Sequence, residues 1–438
     1  MSPQVLYGHN SRRLQTEGHY FIDLFAGCGG LSLGLTSAGW MGTFAIEKSP
    51  DAFRTFSANL LEEHPYRPMP TPFVWPSWLP KEPMDISDLI RRHRRELLRL
   101  RGRVSLLAGG PPCQGFSSAG RRDASDKRND LFIHQLRLAR LIRPALVLIE
   151  NVKGISIPLR GHSSAATRNS HDTIYSDKIR RALDRAGYHA EQGMVRSCDW
   201  GVPQFRPRYI TVAVRKDLTG SHGPPSFFTI MESIREEFLK GKTLSATRSV
   251  TVSDAISDLL VSENTLISCD DAASPAGFTQ IRYCKPRTTY QRLLHGELNG
   301  HSPNSLRLPN HLPATRRRFR AILRTCRKGV QLSPQDRERL NIRKCIVVPL
   351  APDRPSHTIT TIPDDLLHYC EPRVHTVREH ARLQSFPDWF AFYGKFTTGG
   401  HRRKIECPRY TQVGNAVPPL LAEAIGVALR ELLRNLNT

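Results

Sequence analysis

Short apolar runs alternate with amphipathic stretches through the first half of the chain, and that alternation predicts its elements. His19–Phe25 is short and apolar, the pattern of a strand buried on both faces. It runs into Ala26-Gly27-Cys28-Gly29-Gly30-Leu31-Ser32, a glycine turn that opens a helix. Further strands are predicted at Thr43–Ile46, Val104–Ala108, Ala145–Ile149 and Ala190–Val195, and from Arg206 to about Val214. Helices are predicted at Leu89–Arg101, at Leu131–Ile142 before Pro144, and at Ile174–Ala186. Strand, turn and helix repeating in this way predict a doubly wound α/β fold. His64–Pro83 is rich in proline and aromatic residues and reads as a loop insertion. Gly115–Asn129 and Arg160–Asp172 are polar loops, and Met1–Gly18 is a polar lead-in.

The pattern changes at Gly220. From there to about Pro372 the periodicity is irregular and proline-punctuated, which predicts a second, smaller domain. Order returns with a capped helix from Val377, stopped by Pro387, and a closing helix at Leu420–Leu436. The expected division is residues 1–217, completed by 410–438, for one domain and 218–409 for the other.

Composition narrows the class. The chain has 438 residues, 39% hydrophobic and 24% charged, as soluble globular proteins do. Its formal charge of +23 points to a polyanionic partner, most simply nucleic acid. Nine scattered cysteines form no Cys-x-x-Cys pair, which argues for a reducing compartment and against a zinc site. No apolar segment at the start suggests a secretory signal, and no run reaches the length of a membrane span.

The candidate chemistry sits where predicted strands end, the edge at which open α/β sheets bind ligands. Gly109-Gly110-Pro111-Pro112 ends one strand and presents Cys113 on a stiff turn, a candidate nucleophile. Glu150 ends another and is a candidate proton donor. Glu47 ends a third, twenty residues after Gly27, placed to take two ribose hydroxyls. Alternation in Arg206-x-Arg208 puts two guanidinium groups on one face, suited to a phosphate or a ring carbonyl. Ser32 occupies the third glycine of the dinucleotide fingerprint, which argues against NAD and leaves another nucleoside cofactor.

Six blocks, in order, resemble the DNA cytosine-5 methyltransferase family. They are Asp23-Leu24-Phe25-Ala26-Gly27-Cys28-Gly29-Gly30, Pro111-Pro112-Cys113-Gln114, Glu150-Asn151-Val152, Gln204-x-Arg206-x-Arg208, Arg378-Glu379-x-Ala381-Arg382-Leu383-Gln384-Ser385-Phe386-Pro387 and Gly414-Asn415-Ala416-Val417-Pro418-Pro419. The resemblance implies a mostly parallel seven-stranded sheet that binds S-adenosylmethionine, and a smaller target-recognition domain across a DNA cleft. It implies that the last helix returns beside the glycine turn.

By the same resemblance, Cys113 adds to the target base, Glu150 donates to ring nitrogen 3, Arg208 holds the ring carbonyl and Arg206 supports the site or a phosphate. The expected cofactor contacts are Phe25, Gly27, Gly29, Glu47, Asp85, Ile86, Pro112, Leu131 and Asn415, with no metal. Asp88 is the alternative to Asp85. Lys48 stands where some members place an aromatic against adenine, so Ile86 and Leu131 are expected to close that pocket. Gln114 and Ser117 are expected to meet the sugar-phosphate, and Gly115–Asn129 to close over a flipped base. Arg316, Arg317 and Arg318 are expected on DNA phosphates.

The expected setting is a monomer in the cytoplasm, at the nucleoid in a bacterium, acting on double-stranded DNA beside a separate restriction endonuclease. Three alternatives remain: a tRNA cytosine-5 methyltransferase, whose Cys-Phe-Thr tripeptide is not found here, an inactive DNA-binding relative, and an NAD enzyme.

Overall fold

The computed structural model describes residues 19–67, 72–112, 131–157, 174–220, 222–298, 301–398, 402 and 405–436. In chain order the first half runs β1 (Tyr20–Leu24), α1 (Gly30–Ser37), β2 (Met41–Ile46), α2 (Pro50–Leu60), α3 (Ile86–Arg92), α4 (Arg94–Arg99), β3 (Leu106–Gly109), α5 (Leu131–Ile142), β4 (Leu146–Val152), α6 (Tyr175–Arg185), β5 (Tyr188–Arg196) and β6 (Pro207–Arg215). The second half adds α7 (Phe227–Gly241), α8 (Val252–Ile256), β7 (Thr265–Ser268), β8 (Thr279–Arg282), α9 (Thr289–His295), α10 (Pro313–Thr325), α11 (Pro334–Arg339), β9 (Val348–Pro349), β10 (Leu366–Leu367), α12 (Val377–Leu383), α13 (Arg409–Asn415) and α14 (Pro419–Leu436). No helix among the described residues is long and apolar enough to cross a membrane.

The central sheet has the order β2-β1-β3-β4-β6-β5. β1 pairs in parallel with β2 and β3, and β3 with β4. β6 runs antiparallel to both β4 and β5. The doubly wound α/β architecture is as expected. The described strands number six rather than seven, and the sheet is mixed. β6 therefore enters the sheet at the edge where β1, β3 and β4 leave it. Beyond β2, Phe73 adds a single bridge to Gly42 but no strand.

Alternation sorts the strand residues between two layers. Phe21, Leu106, Leu148 and Val212 face one core with α1 and α14. Ile22, Leu107, Val147 and Ala213 face the other, with α3, α5 and α6. α14 returns onto α1, and their backbones nearly touch. A side chain at Gly34 would overlap Ala422, and one at Gly426 would stand 2.7 Å from Ala38. Trp40 Nε1 closes the contact by donating to the Gly426 carbonyl at 2.9 Å.

Three expectations shift. The basic helix predicted over Leu89–Arg101 is two helices, α3 and α4, broken at His93, whose φ of −117° and ψ of 29° are not helical. The insertion over His64–Pro83 forms no helix or strand in its described part, but it is anchored. Phe73 packs edge-on against Phe21 and Phe56, and Trp75 and Trp78 pack against Phe44. And the irregular region after Gly220 opens with the fifteen residues of α7, which pack on α14. Lys242, just beyond α7, bonds Glu423 at 2.6 Å.

Candidate active site

Strand ends build the reacting edge. In the β4–β6 register Val152 lies opposite Arg208 and Glu150 opposite Ile210. Arg208, at the start of β6, and Glu150, near the end of β4, thereby meet, with Nε and Oε1 2.5 Å apart. Both side chains are largely buried, at 8% and 14% exposure, so the pair is screened little. Burial lowers the Arg208 guanidinium and the Glu150 carboxylate opposes that shift. β3 ends one strand over, in parallel register with β4. A side chain at Gly110 would stand 3.1 Å from Glu150 Oε2, so this turn passes close against the carboxylate. Pro111 and Pro112 follow. Cys113, Gln114 and Ser117 lie outside the described residues, as do the loops Gly115–Asn129 and Arg160–Asp172.

Arg206 goes elsewhere. Its buried guanidinium donates to the carbonyls of Ile359 at 3.0 Å, Gly414 at 2.8 Å and Ala416 at 3.1 Å. Burial holds it well below the usual arginine range. These bonds turn its two terminal nitrogens toward backbone carbonyls, away from Glu150. Gln204 works alongside: its amide donates to Leu383 and Gln384 and accepts from the Ile359 amide at 2.8 Å. Together they fasten the start of β6 to the segment carrying Asn415.

The second cluster lies at the tips of β1 and β2. Phe25 takes φ +60°, a conformation costly for a bulky residue, as β1 breaks into the turn. Gly27 and Gly29 continue it at φ +57° and +101°. Space for a ligand remains, since nothing lies within 4 Å of where a Gly27 side chain would stand. Glu47 Oε2 accepts from the Gly27 amide at 2.9 Å and Oε1 from Ser49 at 2.7 Å. Burial raises the Glu47 carboxyl, and these amides draw it back.

The Met84 amide donates to the Glu47 carbonyl at 2.8 Å, which sets Asp85 beside it despite the long insertion. Asp85 caps α3 by accepting from Ser87. Burial tends to raise its carboxyl, but the Ser87 bonds outweigh that and leave it below the ordinary range. Asp88, the alternative, pairs with Arg91 on the helix surface. Ile86 is buried in the core, Leu131 is half-buried at the start of α5, and Asn415 and Pro112 are exposed. The Cys28 thiol reaches the Gln412 carbonyl at 3.6 Å, bringing α13 to the glycine turn. Arg316, Arg317 and Arg318 stand exposed on α10, with no ion-pair partner among the described residues.

A family model, the C-5 cytosine-specific DNA methylase, matches residues 19–70 and 78–431. The chain belongs to the C-5 cytosine-specific DNA methylase family. Its break at 71–77 falls inside the aromatic insertion. The chain is similar to the Type II methyltransferase M.DdeI of Desulfomicrobium norvegicum, 29% identical over 95% of this chain and 89% of that protein. It is likewise similar to the Type II methyltransferase M1.HphI of Haemophilus parahaemolyticus, 30% identical over 95% of this chain and 87% of that one. Among solved structures, a protein described as a DNA modification methyltransferase encoded within an Escherichia coli prophage aligns with a TM-score of 0.62. It is 24% identical over 95% of this chain and all of that one, a likeness of fold. As a C-5 cytosine-specific DNA methylase, the chain is a DNA cytosine-5 methyltransferase.

Sequence reasoning missed three features of this methylase. Asp23 is fully buried under the glycine turn, where Ser32 Oγ donates to its Oδ2 at 2.6 Å. Burial raises the Asp23 carboxyl to about 7, against that hydrogen bond, and its Oδ1 has no hydrogen-bond partner among the described residues. The serine that breaks the dinucleotide fingerprint is thus the contact that ties α1 to β1, and an acid inside an apolar strand was the available signal. Phe205 is 47% exposed at the reacting edge, between buried Gln204 and Arg206, and no motif announces it. The third is a stack of buried histidines that ends on α12 at His380, taken up below.

Proposed function

We propose that this methyltransferase moves a methyl group from S-adenosylmethionine to carbon 5 of a cytosine flipped out of a specific duplex sequence, through a covalent Cys113 adduct. We place it as the modification enzyme of a restriction-modification system, acting as a cytoplasmic monomer. The names of its Type II relatives favour that setting.

The observation that carries the mechanism is the Glu150–Arg208 pair against the Gly110 turn. Carbon 5 of cytosine is a weak nucleophile. Adding the Cys113 thiolate at carbon 6 converts the ring to an enamine, which splits one hard step into two easier ones. Glu150, as the acid, would give its proton to ring nitrogen 3 as the Cys113–carbon bond forms. Arg208 would hold the ring carbonyl. Arrival of the base exchanges the contact between these two side chains for one contact from each to the ring. Once carbon 5 carries the methyl group, loss of its proton to a base would expel the Cys113 thiolate, with the nitrogen 3 proton returning to Glu150, and restore aromaticity.

Bound S-adenosylmethionine would supply an electrophilic methyl on sulfonium sulfur. The residues fit it. The open side of the Gly27 turn and Asp23 Oδ1 beneath it, without a hydrogen-bond partner among the described residues, mark a polar cradle. Glu47 would take the ribose hydroxyls in place of the amides it now accepts, and Asp85 would meet the adenine edge. Phe25, Gly29, Ile86, Pro112, Leu131 and Asn415 would line the remainder. Gln114, Ser117 and the arginines of α10 would hold the DNA backbone. Base reading would lie within 218–409.

Duplex carrying 5-fluorocytosine at the target, found by bisulfite sequencing of DNA from expressing cells, tests the chemistry. It should trap an adduct stable to denaturation, and Cys113→Ala should abolish it. Persistence of the adduct in that variant sinks the assignment. Calorimetry on Glu47→Ala should show cofactor binding weaker by about 1–3 kcal/mol, and exchanging 218–409 for a relative's region should exchange the target.

A further inference from the structure

α3, α4, α5 and α6 pack side by side on one face of the sheet. Arg94, Arg95 and Arg99 of α4, Arg137 and Arg140 of α5 and Arg185 of α6 are all exposed there. None has an ion-pair partner among the described residues. The acids nearby are few and mostly engaged. Asp88 holds Arg91 and Arg92, Asp177 lies near Arg180, and Asp184 bonds Lys216. α5 contains no acid at all, and Glu96 is the lone one on α4.

This surface is not the reacting edge. α5 starts at that edge with Leu131 and ends across the sheet at Ile142. There Arg101 donates to the carbonyls of Arg140 and Leu141, and the Gly102 amide to that of Ile142. The end of α4 and the end of α5 thus meet at the edge opposite Glu47 and Glu150.

A cation in the last turn of a helix complements the helix dipole, and Arg99, Arg140 and Arg185 have that account. Arg94 and Arg95 do not. They occupy the first turn of α4, where the dipole repels cations, with only His93 between them and Arg91 and Arg92. Folding gains nothing from that arrangement, and like charges this dense oppose it. A polyanion would neutralise them, and the one the chain already handles is duplex DNA.

We propose that this helical layer is a second, sequence-independent binding surface for duplex DNA, engaging DNA outside the target site. The choice of duplex rests on the methyltransferase reading above. A short duplex seated at the reacting edge cannot reach the far face. A long one can bend back to it or be held there between encounters, so the rate per target should rise with DNA length.

The test uses the full chain and the variant carrying Arg94→Gln, Arg95→Gln, Arg99→Gln and Arg137→Gln. The substrates are a duplex barely longer than the target and a single-target duplex of several kilobases. The wild type should show a higher kcat/KM on the long duplex at low salt. The variant should match the wild type on the short duplex and lose most of the length advantage. Its salt slope for long-duplex binding should fall by roughly 0.9 for each phosphate no longer neutralised. A length advantage absent from the wild type, or one that survives the substitutions with its salt slope, overturns the proposal. So does long single-stranded RNA binding in a variant-sensitive manner where duplex does not. Failure of the wild type to methylate the short duplex would instead overturn the proposed function, while the salt slopes still decide the surface.

Discussion

α10 and α12 are both short arginine-bearing helices in the second half of the chain, and they use arginine in opposite ways. On α10, Arg316, Arg317, Arg318, Arg320 and Arg324 are exposed, and Ile322 is the one buried residue. On α12 every residue is buried. Arg382 places its guanidinium on both oxygens of Asp388, at 2.9 and 2.6 Å, and on Asp258 at 2.5 Å. Arg378 donates to Asn304 and to the carbonyls of Pro387 and Phe390. Glu379 takes two bonds of 2.7 Å from Arg373 and one of 2.6 Å from the Thr376 amide. Burying charge is tolerable only when each charge is answered, and on α12 each is. On α10 the charges are left for something else. Arginine count says nothing of which regime applies.

The largest effect should come from breaking α12. Arg382→Ala leaves Asp388 and Asp258 desolvated without their cation and should destabilise the chain by about 3–5 kcal/mol in urea titration. A loss below about 1 kcal/mol would show that water replaces the guanidinium, and the contrast with α10 would collapse.

Acid should find α12 next. His368, His375 and His380 stack at ring-centroid separations of 5.2 and 5.3 Å, all fully buried, with Tyr410 edge-on at the end. Both ring nitrogens of His375 and His380 lack hydrogen-bond partners among the described residues. Burial lowers His380 from 6.5 to about 4, against the pull of Glu379 and Asp365. Burial lowers His368 and His375 too. The unfolded chain takes up protons below 6.5 that the folded chain refuses, so stability drops as pH falls from 6.5 toward 4. Each such histidine contributes about 1.4 kcal/mol per pH unit. His380→Phe should flatten that dependence in melts across the window. An unchanged slope would mean the ring is protonated in place.

α10 should respond in binding. Replacing Arg316, Arg317 and Arg318 with glutamine should weaken target and non-target duplex alike, and lower the salt slope by roughly 0.9 for each phosphate left without its cation. Weakening confined to the target sequence would make these residues base readers. The smallest effect is on folding: Arg317→Ala should shift stability by no more than about 0.5 kcal/mol.

Patterns along the chain were enough for the strand-turn-helix order, the helix bounds of α5, the residues at the strand tips and the family. Those rest on local rules: an apolar run of strand length, a proline stop, a glycine turn, a motif in order. Glu47 and Glu150 were legible at the correct edge because parallel strands that leave a sheet together end together. The remainder came from packing alone. The antiparallel course of β6 brings Arg208 onto Glu150, and a pairing across nearly sixty residues leaves no periodic trace. The same holds for Arg206, which shares a motif with Arg208 yet braces carbonyls of segments far along the chain. Met84, just before Asp85, meets Glu47 through one backbone bond that no spacing rule predicts across an insertion. And whether an arginine is buried or free depends on which carboxylates the fold delivers to it. That is a property of the packed chain, because the cost of desolvating a charge is set by all of its neighbours at once.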